Sequence, residues 1–158
     1  MKIEIATTSD IPVLCTLLDY LFSQEVEFKP DHETQSRGLE MILNNNNSGN
    51  IFIAKKNEKI IGMVILLYTV STALGERVAL LEDMVVSPNE RELGIGSMLL
   101  DHAVKYATEK GCKRITLLTD KTNTKAQKFY KQHKFNRSTM IPFRMIINNR
   151  KKIRENDF

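Results

Sequence analysis

The chain predicts an α/β fold: a mixed, mostly antiparallel central sheet with helices on both faces. Two observations carry this. Segments of twofold apolar period alternate with segments of helical period, in the order strand, helix, helix, three strands, helix, strand, helix, two strands. A strand at residues 78–86 is followed by a helix at 97–110 and another strand at 114–119, a right-handed βαβ unit whose two strands run parallel. A length of 158 residues suits one domain over 1–158, ending in a basic tail at 148–158.

Each element has its own signal. Residues 2–6 alternate, with Ile3 and Ile5 on one face, as an edge strand does. Thr7-Thr8-Ser9-Asp10 then offers helix caps, Pro12 suits a first turn, and Leu14, Leu17, Leu18, Leu21 and Phe22 recur at helical spacing over 11–22. A second helix at 32–43 buries Leu39, Ile42 and Leu43, and the asparagine-rich run at 44–50 ends it. Strands at 51–54 and 60–70 flank the polar turn 56–59 and read as a hairpin; a turn at 71–77 leads to the strand 78–86. The helix at 97–110 carries Leu100, Ala103, Val104 and Ala107 on one stripe, with Gly111 as its stop. A last helix at 124–133 presents Ala126, Phe129, Tyr130 and His133, and two final strands are expected in 135–147, interrupted near Pro142.

Composition narrows the function. Apolar residues make up 42% and charged residues 27%, close to the globular average, which argues against a disordered or fibrous chain. The apolar run at 60–70 is too short to span a bilayer as a helix, and the first residues lack the zones of a secretory signal, so a cytoplasmic protein without a membrane partner is expected. Cys15 and Cys112 have no metal-ligand spacing; reduced thiols and no metal are expected. The net charge of +4 is spread along the chain, without the aromatic platform or recognition motif of a nucleic-acid binder.

Function is concentrated in one stretch. Leu81-Glu82-Asp83-Met84-Val85-Val86 leads through Ser87-Pro88-Asn89-Glu90 into Arg91-Glu92-Leu93-Gly94-Ile95-Gly96-Ser97. Two glycines here let the backbone approach a ligand and turn its amides inward at a helix N-terminus, where an anion is favoured. Gly96 is not followed by the Lys-Ser or Lys-Thr of a mononucleotide loop, and a dinucleotide fingerprint would need a third glycine. The remaining pattern, Arg-x-x-Gly-x-Gly after an apolar strand, resembles the pyrophosphate loop of the GNAT superfamily, acyltransferases that use acetyl-coenzyme A. Downstream, Asn123-x-x-Ala126-x-x-Phe129-Tyr130 followed by Phe135 is similar to a second pattern of that family, with Lys134 where glycine is usual. The resemblance covers nearly the whole chain.

The resemblance implies a GNAT fold and an enzyme that moves an acetyl group from acetyl-coenzyme A to a primary amine of a small molecule or peptide, by direct attack in a ternary complex. It implies cosubstrate contacts from Met84, Val85 and Val86, from Arg91, Glu92, Leu93, Gly94, Ile95, Gly96 and Ser97, and from Asn123. Glu92 also stands where many members have glycine. The Leu-Glu-Asp strand looks like that of spermidine/spermine acetyltransferases, where acidic residues serve the amine. An amine with a pKa of roughly 10.4 must lose a proton before it attacks. Glu82 is the favoured general base and Asp83 the alternative, since neighbouring strand residues point to opposite faces unless the bulge common in this family intervenes. Tyr130, protonated at neutral pH, is the candidate acid for the leaving thiolate. Glu25, Glu27 and Asp31 hint at a cationic acceptor. Homodimers are common in the family. The competing reading is a non-catalytic acyl-coenzyme A sensor or regulatory module, which needs Arg91, Gly94 and Gly96 but neither Glu82 nor Tyr130.

Overall fold

The computed structural model describes residues 1–25 and 29–147, and the backbone groups into two units, Met1–Thr124 and Lys125–Phe158. In the first, β1 (Lys2–Ile5), β2 (Gly49–Lys56), β3 (Lys59–Ser71), β4 (Glu76–Val86) and β5 (Ile115–Leu117) lie side by side in that order. The first three junctions are antiparallel, and β4 pairs with β5 in parallel. The expected mixed sheet is present.

Strand alternation divides the core into two layers. On one face α1 (Ile11–Phe22) and α2 (His32–Leu43) press Leu14, Leu17, Leu18 and Leu39 onto Ile51, Ile53, Met63, Ile65 and Val85. On the other lies α3 (Ile95–Glu109), where Phe52 meets the rings of His102 and Tyr106 edge-on at 5.1 and 4.9 Å between centroids. Gly62 permits the close approach of α3, because a Cβ there would stand 3.0 Å from Leu99 Cδ1 and 3.1 Å from the Val85 carbonyl oxygen.

The helices α1 and α2 keep the bounds expected from their periodicity, and the hairpin turns on Asn57 and Glu58 at φ 49° and 61°, both positive as the twist of the strands favours. Helix α3 starts at Ile95, two residues before the expected start at 97, and Gly111, at φ 81°, ends it. The Cys112 amide donates to the Ala107 carbonyl and the Gly111 amide to the Thr108 carbonyl, which closes the last turn. Strand β5 spans three residues where six were expected. Its ladder ends at Leu81↔Leu117, one residue before β4 bulges and its twist changes.

In the second unit, α4 (Thr124–Gln132) ends by the same device with a different residue. The Phe135 amide donates to the Tyr130 carbonyl at 3.0 Å and the Lys134 amide to the Lys131 carbonyl at 3.1 Å, while the Tyr130 and Phe135 rings meet at 5.9 Å. The geometry demands a left-handed residue, and Lys134 supplies it at φ 68°. A Cβ in that conformation costs roughly 1–2 kcal/mol, offset in part by the extra freedom glycine has when unfolded. Lys134→Gly is therefore expected to stabilise the fold by about 1 kcal/mol, read as a higher denaturation midpoint at unchanged m-value; a lower midpoint would overturn it.

The two strands expected within 135–147 are not formed. Pro142 has no amide hydrogen for a ladder, and residues 135–147 find no ladder partner among the described residues. The expected basic tail at 148–158 lies outside the described residues.

Candidate active site

The loop between β4 and α3 has the geometry of an anion cradle. After a short 3-10 turn at Pro88–Glu90, the Arg91 Nε–H donates to the Val86 carbonyl at 3.0 Å, tying the loop back to the end of β4. Glu92 and Gly94 both take positive φ, 66° and 80°, so the chain reverses twice before entering α3 at Ile95. Gly94 caps the helix without a side chain, and no acceptor among the described residues takes up the amide hydrogens of Gly94 to Ser97. A Cβ on Gly94 would meet nothing within 4 Å, so the space beside this residue is open. The donor set fits a phosphate group: several converging N–H groups at the positive end of a 15-residue helix.

Beside the cradle, β4 runs past its partner. The ladder to β5 stops at Leu81, while β4 continues to Val86. Met84, Val85 and Val86 therefore lie beyond the end of the β5 ladder.

The same stretch contains the bulge. Met63 stands opposite Val85 and Ile65 opposite Glu82, so Asp83 and Met84 together face Val64 alone. Asp83 absorbs the extra residue with φ 41°, a left-handed conformation unusual within a strand. Residues directly opposite share a face, and Ile65 belongs to the α1–α2 core, so Glu82 leaves the sheet on that face, where it is exposed. Asp83 opens into a cleft on the same face. The bulge thus brings both carboxylates to one side, the exception to strict alternation.

Their environments differ. Burial, chiefly, and then the charges of Glu82 and Glu25, push the Asp83 carboxyl up from 3.8 to about 6. Among the described residues no hydrogen bond or ion pair neutralises it. A carboxylate that titrates near neutrality holds its proton more tightly than an ordinary aspartate, and so is a stronger base. The cleft has a volume of about 280 Å³ and is walled by Leu18 and Phe22 of α1, Leu39 of α2 and Ile65 of β3. Of the three other acids singled out, Glu25 is close enough to raise Asp83, while Asp31 caps α2 by accepting from the Thr34 amide at 3.2 Å and the Thr34 hydroxyl at 2.7 Å. Glu27 lies outside the described residues.

Asn123 precedes α4, its amide donating to the Asp120 carbonyl at 3.0 Å. Tyr130, on α4, is half-buried, packs against Phe129 at 5.3 Å between centroids, and has its phenol pushed up by burial. It is protonated at neutral pH. Among the described residues no group of three or more His, Cys, Asp or Glu is arranged to hold a metal ion, and no helix is long and apolar enough to cross a membrane. The sequence reading did not single out the cleft. Its one sequence signal is Gly38, a glycine in the middle of an amphipathic helix.

Known proteins resemble this chain over most of its length. Residues 15–135 match the acetyltransferase (GNAT) family model. The uncharacterized N-acetyltransferase YhfO of Bacillus subtilis (strain 168) is 34% identical over 142 residues, covering 88% of this chain and 92% of its own. A possible acetyltransferase from Clostridium difficile 630 superposes with a TM-score of 0.84 at 14% identity, covering 93% of this chain and 97% of its own. An aminoglycoside acetyltransferase from an uncultured soil metagenomic sample, solved with sisomicin, superposes with a TM-score of 0.76 at 25% identity over 93% of this chain and 96% of its own. With its mixed sheet, bulged fourth strand and amide cradle opening the third helix, this chain belongs to the GNAT acetyltransferase family.

Proposed function

We propose that the chain acts as one domain that transfers an acetyl group from acetyl-coenzyme A to a primary amine, by direct attack in a ternary complex. The observation that carries this is Asp83: a mostly buried carboxylate, raised to about 6, on a bulge whose strand leads directly into the anion cradle. When bound, acetyl-coenzyme A supplies an acetyl group activated as a thioester. Arg91 and the amides of Leu93 to Ser97 would hold its phosphates, the β4 edge from Met84 to Val86 its amide-bearing arm, and Asn123 the adjoining loop. Glu92 is exposed, which suits a carboxylate beside phosphate.

Asp83 takes the proton that keeps the acceptor amine cationic, directly or through water. Glu82, favoured as base from the sequence, is exposed beside it and adds negative charge that raises Asp83. Backbone amides of β4 would stabilise the oxyanion, and Tyr130, a protonated phenol, would serve as the acid for the leaving thiolate.

The test is release of coenzyme A thiol from acetyl-coenzyme A over a panel of alkyl and aryl amines, amino acids, polyamines, aminoglycosides and peptides. Tyr130→Phe is expected to lower kcat about 10²-fold with unchanged acetyl-coenzyme A affinity. An unchanged rate would return Tyr130 to packing. A wild-type protein that acetyl-coenzyme A stabilises against heat, yet turns over no acceptor, would instead be a sensor.

A further inference from the structure

Helix α2 contains a glycine that its own fold does not require. Gly38 lies seven positions into the helix Asp31 caps, its φ is ordinary for a helix, and a Cβ there would meet nothing within 4 Å. Alanine in its place would favour the helix. The glycine does, however, line the same cleft as Asp83, and a Cβ there would meet no other group within 4 Å.

The lining indicates what the space takes. Leu18, Phe22, Leu39, Ile42 and Ile65 make the walls apolar, and Asp31, Asp83 and Lys29 leave the lining with one net negative charge, which suits a single ammonium. Lys29 also faces the cleft and opposes a second positive charge. Asp31, the other acid of the lining, is held as an anion by the Thr34 hydroxyl and amide at the start of α2. The volume is about 280 Å³, whereas an apolar cavity of about 150 Å³ holds one benzene ring. A ring or short alkyl chain with its aminomethyl end matches that volume; a three-ring amino sugar exceeds it.

We propose that the acceptor is a monoamine with an alkyl or aryl body, and that Gly38 sets the size of that body by leaving the mouth of the cleft clear. The proposal rests on the reading of this cleft as the acceptor side of an acetyltransferase, and it departs from the polyamine suggested by the acidic residues of the α1–α2 connection.

Calorimetric titration of the coenzyme A-saturated protein with phenethylamine, hexylamine, spermidine and kanamycin, beside thiol-release assays of the same four, tests it. Phenethylamine or hexylamine is expected to bind at least about tenfold more tightly than spermidine or kanamycin, and Gly38→Leu to weaken that binding by about tenfold or more while coenzyme A affinity is unchanged. Gly38→Ala guards against a folding defect: it is expected to raise Tm by ~2–4 °C and to disfavour phenethylamine more than hexylamine. Tighter binding of spermidine or kanamycin, no binding of either monoamine, or a folded Gly38→Leu protein with wild-type affinity would overturn the proposal. Monoamine binding that Gly38→Leu abolishes, without acetyl transfer in the wild type, would uphold the cleft assignment and overturn the enzymatic reading on which it was built.

Discussion

Asp83→Asn is expected to make the protein more stable and nearly inactive. Asparagine keeps the shape of the side chain but cannot accept the amine's proton, so kcat/KM should fall by about 10²–10⁴-fold. Stability moves the other way because the native site resists the charge. The folded carboxyl titrates at about 6 against an ordinary 3.8, so the unfolded chain loses this proton more readily than the folded one. The stability held in the protonated state is complete below the ordinary value and is lost as pH rises through about 6. Two pH units at about 1.4 kcal/mol each put the cost of the charged form at roughly 3 kcal/mol, an upper limit on the gain because asparagine is itself polar. Asp83→Asn should therefore melt several degrees above wild type at about pH 8, and the gap should close at about pH 4. Thermal denaturation at both values checks this. Equal melting at the higher pH would mean that the carboxylate is well solvated and unsuited to the role.

Activity separates the two acids. In the wild type kcat/KM should fall as pH drops through about 6, because only the ionised Asp83 accepts a proton. Glu82→Gln should keep most of the activity, and by removing a neighbouring negative charge should move that limb to lower pH. If Glu82→Gln is inactive while Asp83→Asn retains turnover, the base is Glu82. In either case the bulge decides the matter by bringing both side chains to the face of Ile65.

That bulge marks the limit of what the sequence discloses. The bounds of α1 and α2 follow from apolar spacing and Pro12 in a first turn, local signals that the tertiary fold does not override, whereas the Asp31 cap of α2 is seen only in the structure. The β2–β3 hairpin follows from the turn at Asn57 and Glu58, and the parallel β4–β5 pair from the βαβ crossover. The side to which Asp83 points has no local signal, because an extra residue in β4 is a property of its pairing with β3 and inverts every inference from alternation. The shortness of β5 has no local signal either: its ladder ends opposite Leu81, two residues before Asp83. In 135–147, apolar residues suggested strands that have no ladder partner among the described residues, a requirement composition does not express. Lys134 is the reverse case: the turn was legible, and the lysine adopts the backbone conformation the turn imposes.

The largest effect on cosubstrate affinity should come from Gly94, and helix α3 provides its own control. Gly94 begins the helix at φ 80° and Gly111 follows its end at φ 81°; neither would bring a Cβ within 4 Å of another group. Valine at either position suffers the same left-handed strain, at least roughly 1–2 kcal/mol, so Gly94→Val and Gly111→Val should lose similar stability. Only Gly94 stands before the amides of Ile95 to Ser97, where a side chain would fill the space a phosphate needs and where any backbone shift would turn donors away. Losing one or two hydrogen bonds to a charged group, at ~1.5–3 kcal/mol each, predicts at least a tenfold, and more nearly a hundredfold, loss of acetyl-coenzyme A affinity in Gly94→Val and no loss in Gly111→Val. Calorimetric titration of both folded variants decides it. Equal weakening would assign the effect to destabilisation of α3, and unchanged affinity in Gly94→Val would remove the cradle from the binding site. Weakening confined to Gly94→Val would locate the anion at the start of the helix, because strain and open space are matched at its two ends and only the direction of the backbone amides differs.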